Sequence, residues 1–179
     1  MVYLFLANGF EEVEALTPVD VLRRAGVEVT TVGIGGTQVR GSHGITVQAD
    51  AAETEVTPDD LTAVILPGGM PGTRHLDASD TVRRFLSAAT ERGAVIGAIC
   101  AAPSVLGHQG LLAGKRATCF PGFESELTGA TVLPDIVVTD GRIITAKGAG
   151  AALPFALALA SALAGADKAA AVEAALQVR

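Results

Sequence analysis

Short runs of apolar, largely branched residues alternate along this chain with segments of helical periodicity, and that alternation restricts the fold more than any other feature. The runs are Val2 to Ala7, Val27 to Val32, Ala63 to Leu66 and Ala94 to Ile99. Glu11 to Ala25 sets Val13, Leu16, Val21 and Leu22 at helical spacing and ends in Arg23-Arg24-Ala25-Gly26, and basic residues before a Gly stop a helix. Asp80 to Arg92 repeats the pattern with Val82, Phe85, Leu86 and Ala89 on one face. Strands and helices in this order build βαβ units around a mostly parallel sheet. The expectation is one α/β domain over residues 1–179, a three-layer sandwich with helices on both faces of the sheet.

Finer features follow from local chemistry. Pro18 lies inside the first helical segment and is expected to kink or divide it. Val39 and the run Ile45 to Val47 flank Arg40-Gly41-Ser42-His43, a pattern expected of a small hairpin outside the main sheet. Ala101 to Gln109 reads as a helix with Pro103 in its first turn. Asp140-Gly141 splits Ile136–Thr139 from Ile143–Ala146, a strong hairpin signal. Two further helices, Ala151 to Ala164 and Asp167 to Gln177, close the chain.

Composition removes several classes. With 49% hydrophobic and 18% charged residues the chain is too apolar to be disordered. Thirteen basic residues against nineteen acidic ones give a net charge of -6, which disfavours nucleic acid and anionic membranes as partners. Two Cys supply no disulfide framework, so a reducing, cytoplasmic setting is expected. The apolar start lacks a basic lead and is interrupted by Asn8, Gly9 and Glu11, as expected of a strand rather than a signal peptide. Ala151 to Ala166 is uncharged but shorter than the roughly 20 residues of a spanning helix, and reads as a buried one.

Ligands in open α/β sheets bind beyond the carboxyl ends of the strands. Three such ends carry suggestive residues: Asn8 to Glu14, Pro67-Gly68-Gly69, and Cys100-Ala101-Ala102-Pro103. Cys100 sits between a strand and a helix with Ala98 and Ala102 two positions either side, the steric requirement of a nucleophile elbow. The following helix start would favour a thiolate; the competing reading is a buried structural Cys. Cys119 has no such setting and reads as buried. His43 and His75 fall in a hairpin and a loop, and His108 lies more than about 10 Å along the helix from Cys100. None is placed for a Cys–His pair. Glu14, one turn into its helix among Val13, Ala15 and Leu16, is the better proton partner, whereas Glu11 and Glu12 suit ordinary helix-start carboxylates favoured by the dipole. If buried, Glu14 would carry a raised pKa and share a proton with the sulfur. Gly68-Gly69 is either a plain turn or, with the amides of Gly69 and Ala101, a cradle for an oxyanion. No phosphate-loop motif occurs, and the His and Cys positions lack metal-ligand spacing.

At these residues the sequence resembles the ThiJ/PfpI superfamily, and within it the Parkinsonism-associated deglycase branch with its YajL-like bacterial members. The matching pieces are Ala7-Asn8-Gly9-Phe10-Glu11-Glu12-Val13-Glu14, Pro18-Val19-Asp20-Val21-Leu22-Arg23-Arg24-Ala25-Gly26, Leu66-Pro67-Gly68-Gly69, Ala98-Ile99-Cys100-Ala101-Ala102-Pro103 and Thr145-Ala146-Lys147-Gly148. The resemblance implies a flavodoxin-like fold, a homodimer, and a Cys100 nucleophile hydrogen-bonded to a protonated Glu14 near the amides of Gly69 and Ala101. It implies no cofactor, and substrates that are reactive α-oxoaldehydes such as methylglyoxal, free or attached to proteins. Ala101 stands where the protease branch has His, which disfavours a peptidase; no His follows His108, as an amidotransferase would need. Phe120-Pro121 replaces a His-Pro found in some relatives, so Cys–Glu chemistry rests on Glu14.

Two other classes remain open from sequence. A reactive Cys100 oxidised to its sulfinic acid would make an oxidative-stress sensor or chaperone. Hydrolysis or hydration of another small electrophile is also compatible with the superfamily.

Overall fold

The computed structural model describes residues 1–178; the last residue of the expected domain, Arg179, lies outside them. Seven strands form the central sheet: β1 (Val2–Leu6), β2 (Val29–Gly33), β5 (Ala51–Ala52), β6 (Ala63–Leu66), β7 (Val95–Ile99), β10 (Val137–Asp140) and β11 (Ile143–Ala146). Their spatial order is β10-β11-β7-β6-β1-β2-β5, and every pairing is parallel except the β10–β11 hairpin. The hairpin expected outside the sheet pairs β3 (Gln38–Arg40) with β4 (Thr46–Gln48), and β8 (Arg116–Ala117) with β9 (Thr131–Val132) makes another small pair.

Alternation along a strand sends successive side chains to opposite faces. In β1, Leu4 and Leu6 enter a core with Ala15, Val19 and Leu22 of α1 (Glu12–Arg24) and Phe155 and Leu159 of α5 (Ala152–Ala164). Phe5 enters the opposite core, with Phe85 and Leu86 of α3 (Asp80–Arg92) and Val105 and Leu106 of α4 (Pro103–His108). Phe85 meets Tyr3 and Phe5 edge-on at 5.0 and 5.1 Å, an arrangement aromatic quadrupoles favour. α5 seats close to the sheet because β7 carries Gly97: a Cβ there would come within 2.9 Å of Leu159 and 3.1 Å of Phe155. A last helix, α6 (Ala166–Ala175), completes the α1–α5 side.

Three expectations change. Pro18 does not divide α1, which runs unbroken for 13 residues; its ring is buried, so packing offsets the lost backbone hydrogen bond. Residues expected to form a loop after Gly69 make a helix, α2 (Gly72–Ala78), carrying His75. The helix after Cys100 starts at Pro103 rather than Ala101, with Pro103 in its first turn as the fixed proline φ requires. Among the described residues no helix is long and apolar enough to cross a membrane.

Candidate active site

The parallel pairing of β1, β6 and β7 carries their three carboxyl ends to one edge of the sheet. Cys100 directly follows β7 and adopts φ 65°, a left-handed conformation that, among the described residues, only one other non-glycine residue shares. Side chains rarely tolerate that region, and such strain concentrates where a side chain must be presented outward. Two backbone bonds fasten the elbow: Cys100 N–H donates to the Ala146 carbonyl at 2.9 Å, and Phe120 N–H donates to the Cys100 carbonyl at 2.8 Å.

Glu14 projects from α1 and is fully buried. Its Oε2 accepts from the Gly68 N–H at 2.9 Å, Oε1 is buried without a hydrogen-bond partner, and the carboxyl group as a whole interacts with the Cys100 thiol. Gly68 fits because a Cβ there would lie 2.6 Å from Cys100 Cβ and 2.7 Å from Glu14 Oε2. The amides of Gly69 and Ala101 hydrogen-bond to the Cys100 sulfur. Glu14, Gly68, Gly69 and Ala101 thus converge on Cys100.

Burial drives both ionisable groups toward their neutral forms. Glu14 is pushed up to about 7, chiefly by burial, against the hydrogen bonds from the Cys100 thiol and Gly68 and with a further push from Glu11. Cys100 is pushed up to about 12, first by burial and then by the charge and hydrogen bond of Glu14; the two amides only partly oppose this. The readily ionised thiol expected from a helix start is therefore corrected: α4 begins three residues downstream, is six residues long, and is outweighed by burial and the carboxylate. The two groups titrate as a pair. It loses its first proton near 7 and holds the second until about 12, so neutral pH lies midway through the first loss. The proton that remains rests mainly on sulfur, and moving it to Glu14 gives the thiolate form that the two amides favour.

The His residues stand apart from this pair. His75 Nδ1 lies 2.9 Å from the Asn8 carbonyl, and His108 lies between Asp77 at 2.9 Å and Glu126 at 3.3 Å. Cys119 is buried. Glu12, expected to be an ordinary helix-start carboxylate, is only 6% exposed: its Oε1 accepts from the amides of His43 at 2.9 Å and Ile45 at 3.3 Å. Its fellow oxygen lies 3.1 Å from His43 Nδ1, and Glu11, Glu12 and His43 bring ligand atoms within 4.8 Å of one another. Docking of the hairpin joins these residues, which are far apart in sequence. The hydrogen bonds of Glu12 pin the β3–β4 hairpin to the start of α1. Gly148 ends the family-like run Thr145 to Gly148 but carries no role legible in sequence; a Cβ there would lie 3.1 Å from the Phe120 ring and 3.9 Å from Glu14 Oε1.

This geometry has relatives. The model of the DJ-1/PfpI family matches residues 1–162. Protein dj-1beta of Drosophila melanogaster is 39% identical over 92% of this chain and 90% of its own length. Its crystal structure superposes with a TM-score of 0.94, covering 99% of this chain and 97% of that one. The Caenorhabditis elegans protein named glutathione-independent glyoxalase DJR-1.2 is 36% identical over 88% of this chain and 85% of its own length. DJ-1 homolog B of Arabidopsis thaliana is 36% identical over 97% of this chain, which spans only 40% of that longer protein. The flavodoxin-like sandwich and the sequence likeness agree, and the chain belongs to the DJ-1/PfpI family.

Proposed function

We propose that the protein is a cysteine-dependent, cofactor-free glyoxalase that converts α-oxoaldehydes such as methylglyoxal into 2-hydroxy acids. The observation that carries this reading is the buried Glu14 carboxyl beside the Cys100 thiol, a pair that loses its first proton near neutral pH, with the Gly69 and Ala101 amides facing the sulfur. The name of the nematode relative, a glyoxalase independent of glutathione, supports the same class of substrate.

In this reading the Cys100 thiolate adds to the aldehyde carbon, and the alkoxide takes the proton from Glu14 to give a hemithioacetal. Glu14, now a carboxylate, removes the C–H proton from that carbon, and the electron pair moves onto the adjacent ketone oxygen as an enediolate. The two amides hold the developing negative charge. Reprotonation at the neighbouring carbon yields a 2-hydroxy thioester, and water releases the hydroxy acid and the thiol. One substrate carbon is oxidised as its neighbour is reduced, so no external redox partner is required. On a hemiaminal or hemithioacetal already formed with a protein, Cys100 sulfur forms the new C–S bond as the bond to the protein amine or thiol breaks and that leaving group takes the proton from Glu14, giving the same Cys100 hemithioacetal and a deglycase. Residues 1–179 acting as one domain, a homodimer and a cytoplasmic location belong to the same reading.

The test is methylglyoxal turnover by reduced protein beside Cys100→Ala, following aldehyde loss and lactate formation. Many lactates per site in the wild type alone support the reading. Loss of at most one aldehyde per site refutes it and leaves a reactive thiol of the kind an oxidation sensor uses.

A further inference from the structure

Phe120 is a large apolar side chain left 47% exposed beside a buried ionisable pair. Its position is tied to Cys100 by the 2.8 Å hydrogen bond from its own N–H to the Cys100 carbonyl. Its ring lies against Gly148: a Cβ on Gly148 would be 3.1 Å from the ring edge and, on another side, 3.9 Å from Glu14 Oε1. A side chain at Gly148 would therefore press on the aromatic edge and reach contact with the carboxylate oxygen that has no hydrogen-bond partner, so glycine keeps this corner of the site open. Gly68 occupies Oε2, so the oxygen without a partner is the one that lies near Gly148, the residue the Phe120 ring also packs against. A second exposed apolar residue, Met70, follows directly after Gly69, whose amide bonds to the sulfur.

Resting on the glyoxalase reading above, we propose that Phe120 is a specificity-determining residue: it forms an apolar wall for the substituent of the α-oxoaldehyde and selects aryl or extended alkyl groups over small or charged ones. Addition to the aldehyde carbon fixes that carbon at sulfur and its oxygen at the amides. The substituent beyond the ketone must then leave along the remaining side, where an aromatic face gains from covering an apolar group and loses from stripping water off a charged one.

The test pairs phenylglyoxal with methylglyoxal in turnover, and 2-bromoacetophenone with bromoacetone in alkylation of Cys100. Both pairs are run on wild type, Phe120→Ala and Phe120→Leu, with free cysteine as the alkylation reference. Wild type is expected to favour the aryl member by about tenfold in kcat/KM, and in alkylation by about tenfold beyond the free-cysteine ratio, the discrimination a small apolar contact supplies. Phe120→Ala is expected to lose that preference, and Phe120→Leu to keep part of it. A wild type without aryl preference, or Phe120→Ala retaining it in full, overturns the proposal. Absent turnover with the alkylation preference intact refutes the glyoxalase reading and sustains the apolar wall. Methylglyoxal turnover without aryl preference does the reverse.

Discussion

Glu14 Oε2 accepts a hydrogen bond from the Gly68 amide at 2.9 Å, and this one contact fixes a carboxyl group whose other oxygen is buried without a hydrogen-bond partner. Glu14 and Gly68 are 54 positions apart, on the first helix and in the turn after β6. The bond orients the carboxylate whether or not Oε1 carries a proton, so the group can give and take a proton without turning.

Replacing Glu14 with Gln keeps an amide oxygen for Gly68 but removes the transferable proton. Turnover of methylglyoxal by Glu14→Gln is expected to fall by about 100-fold or more, the usual worth of a positioned acid–base group. A rate within a few-fold of wild type would remove Glu14 from the proton path.

The pH profile should carry the first proton loss of the pair. Activity is expected to rise with pH through about 7 and then level, because the second proton is held until about 12. The limb near 7 should vanish from the residual activity of Glu14→Gln.

Stability should show the same group with the opposite sign. The folded pKa of Glu14 lies above its unfolded value of 4.5, so the folded state holds this proton more tightly. The contribution is complete below pH 4.5 and is lost as pH rises through about 7. Glu14→Gln is therefore expected to gain stability relative to wild type between these limits, by at most about 3 kcal/mol given the energy per pKa unit. Denaturant titrations of both proteins across this range measure the difference; a constant offset refutes the assignment.

Gly68→Ala places a methyl group 2.6 Å from Cys100 Cβ and 2.7 Å from Glu14 Oε2. Neither neighbour is the free end of a flexible chain, so activity is expected to be lost with a stability cost of about 1–3 kcal/mol from overpacking. Circular dichroism should show the fold retained.

Glu12 anchors the β3–β4 hairpin through two backbone amides. Burial opposes its ionisation, but hydrogen bonds from its own amide, the His43 side chain and amide, and the Ile45 amide outweigh that and lower its pKa. Glu12→Ala is expected to cost about 1–3 kcal/mol, since it leaves buried donors unpaired. The loss should be largest above pH 4.5 and shrink as pH falls, because wild-type Glu12 is then protonated too. Thermal unfolding of both proteins at acidic and neutral pH checks the sign.

Much of the fold was legible in sequence because its cues are local. The bounds of α3 coincide with the apolar periodicity from Asp80 to Arg92, and Asp140-Gly141 marks the β10–β11 hairpin. α2 escaped because seven residues containing Gly72 and His75 carry too little periodicity to announce a helix. Pro18 misled for the opposite reason: a strong local signal was overridden by burial of α1 against the sheet.

By itself the sequence determined which residues could be reactive and that their strands end on one edge, since an elbow, a glycine pair and a helical carboxylate are written in neighbouring positions. Only the tertiary structure decided what those groups do to one another. It set the buried Glu14 beside the partly buried Cys100 so that their titrations are coupled, drew Glu12 out of solvent beneath the hairpin that carries the exposed His43, and brought both Phe120 and Glu14 up to Gly148. Local periodicity encodes elements, whereas desolvation and charge coupling depend on distances between residues that the chain separates and only packing brings together.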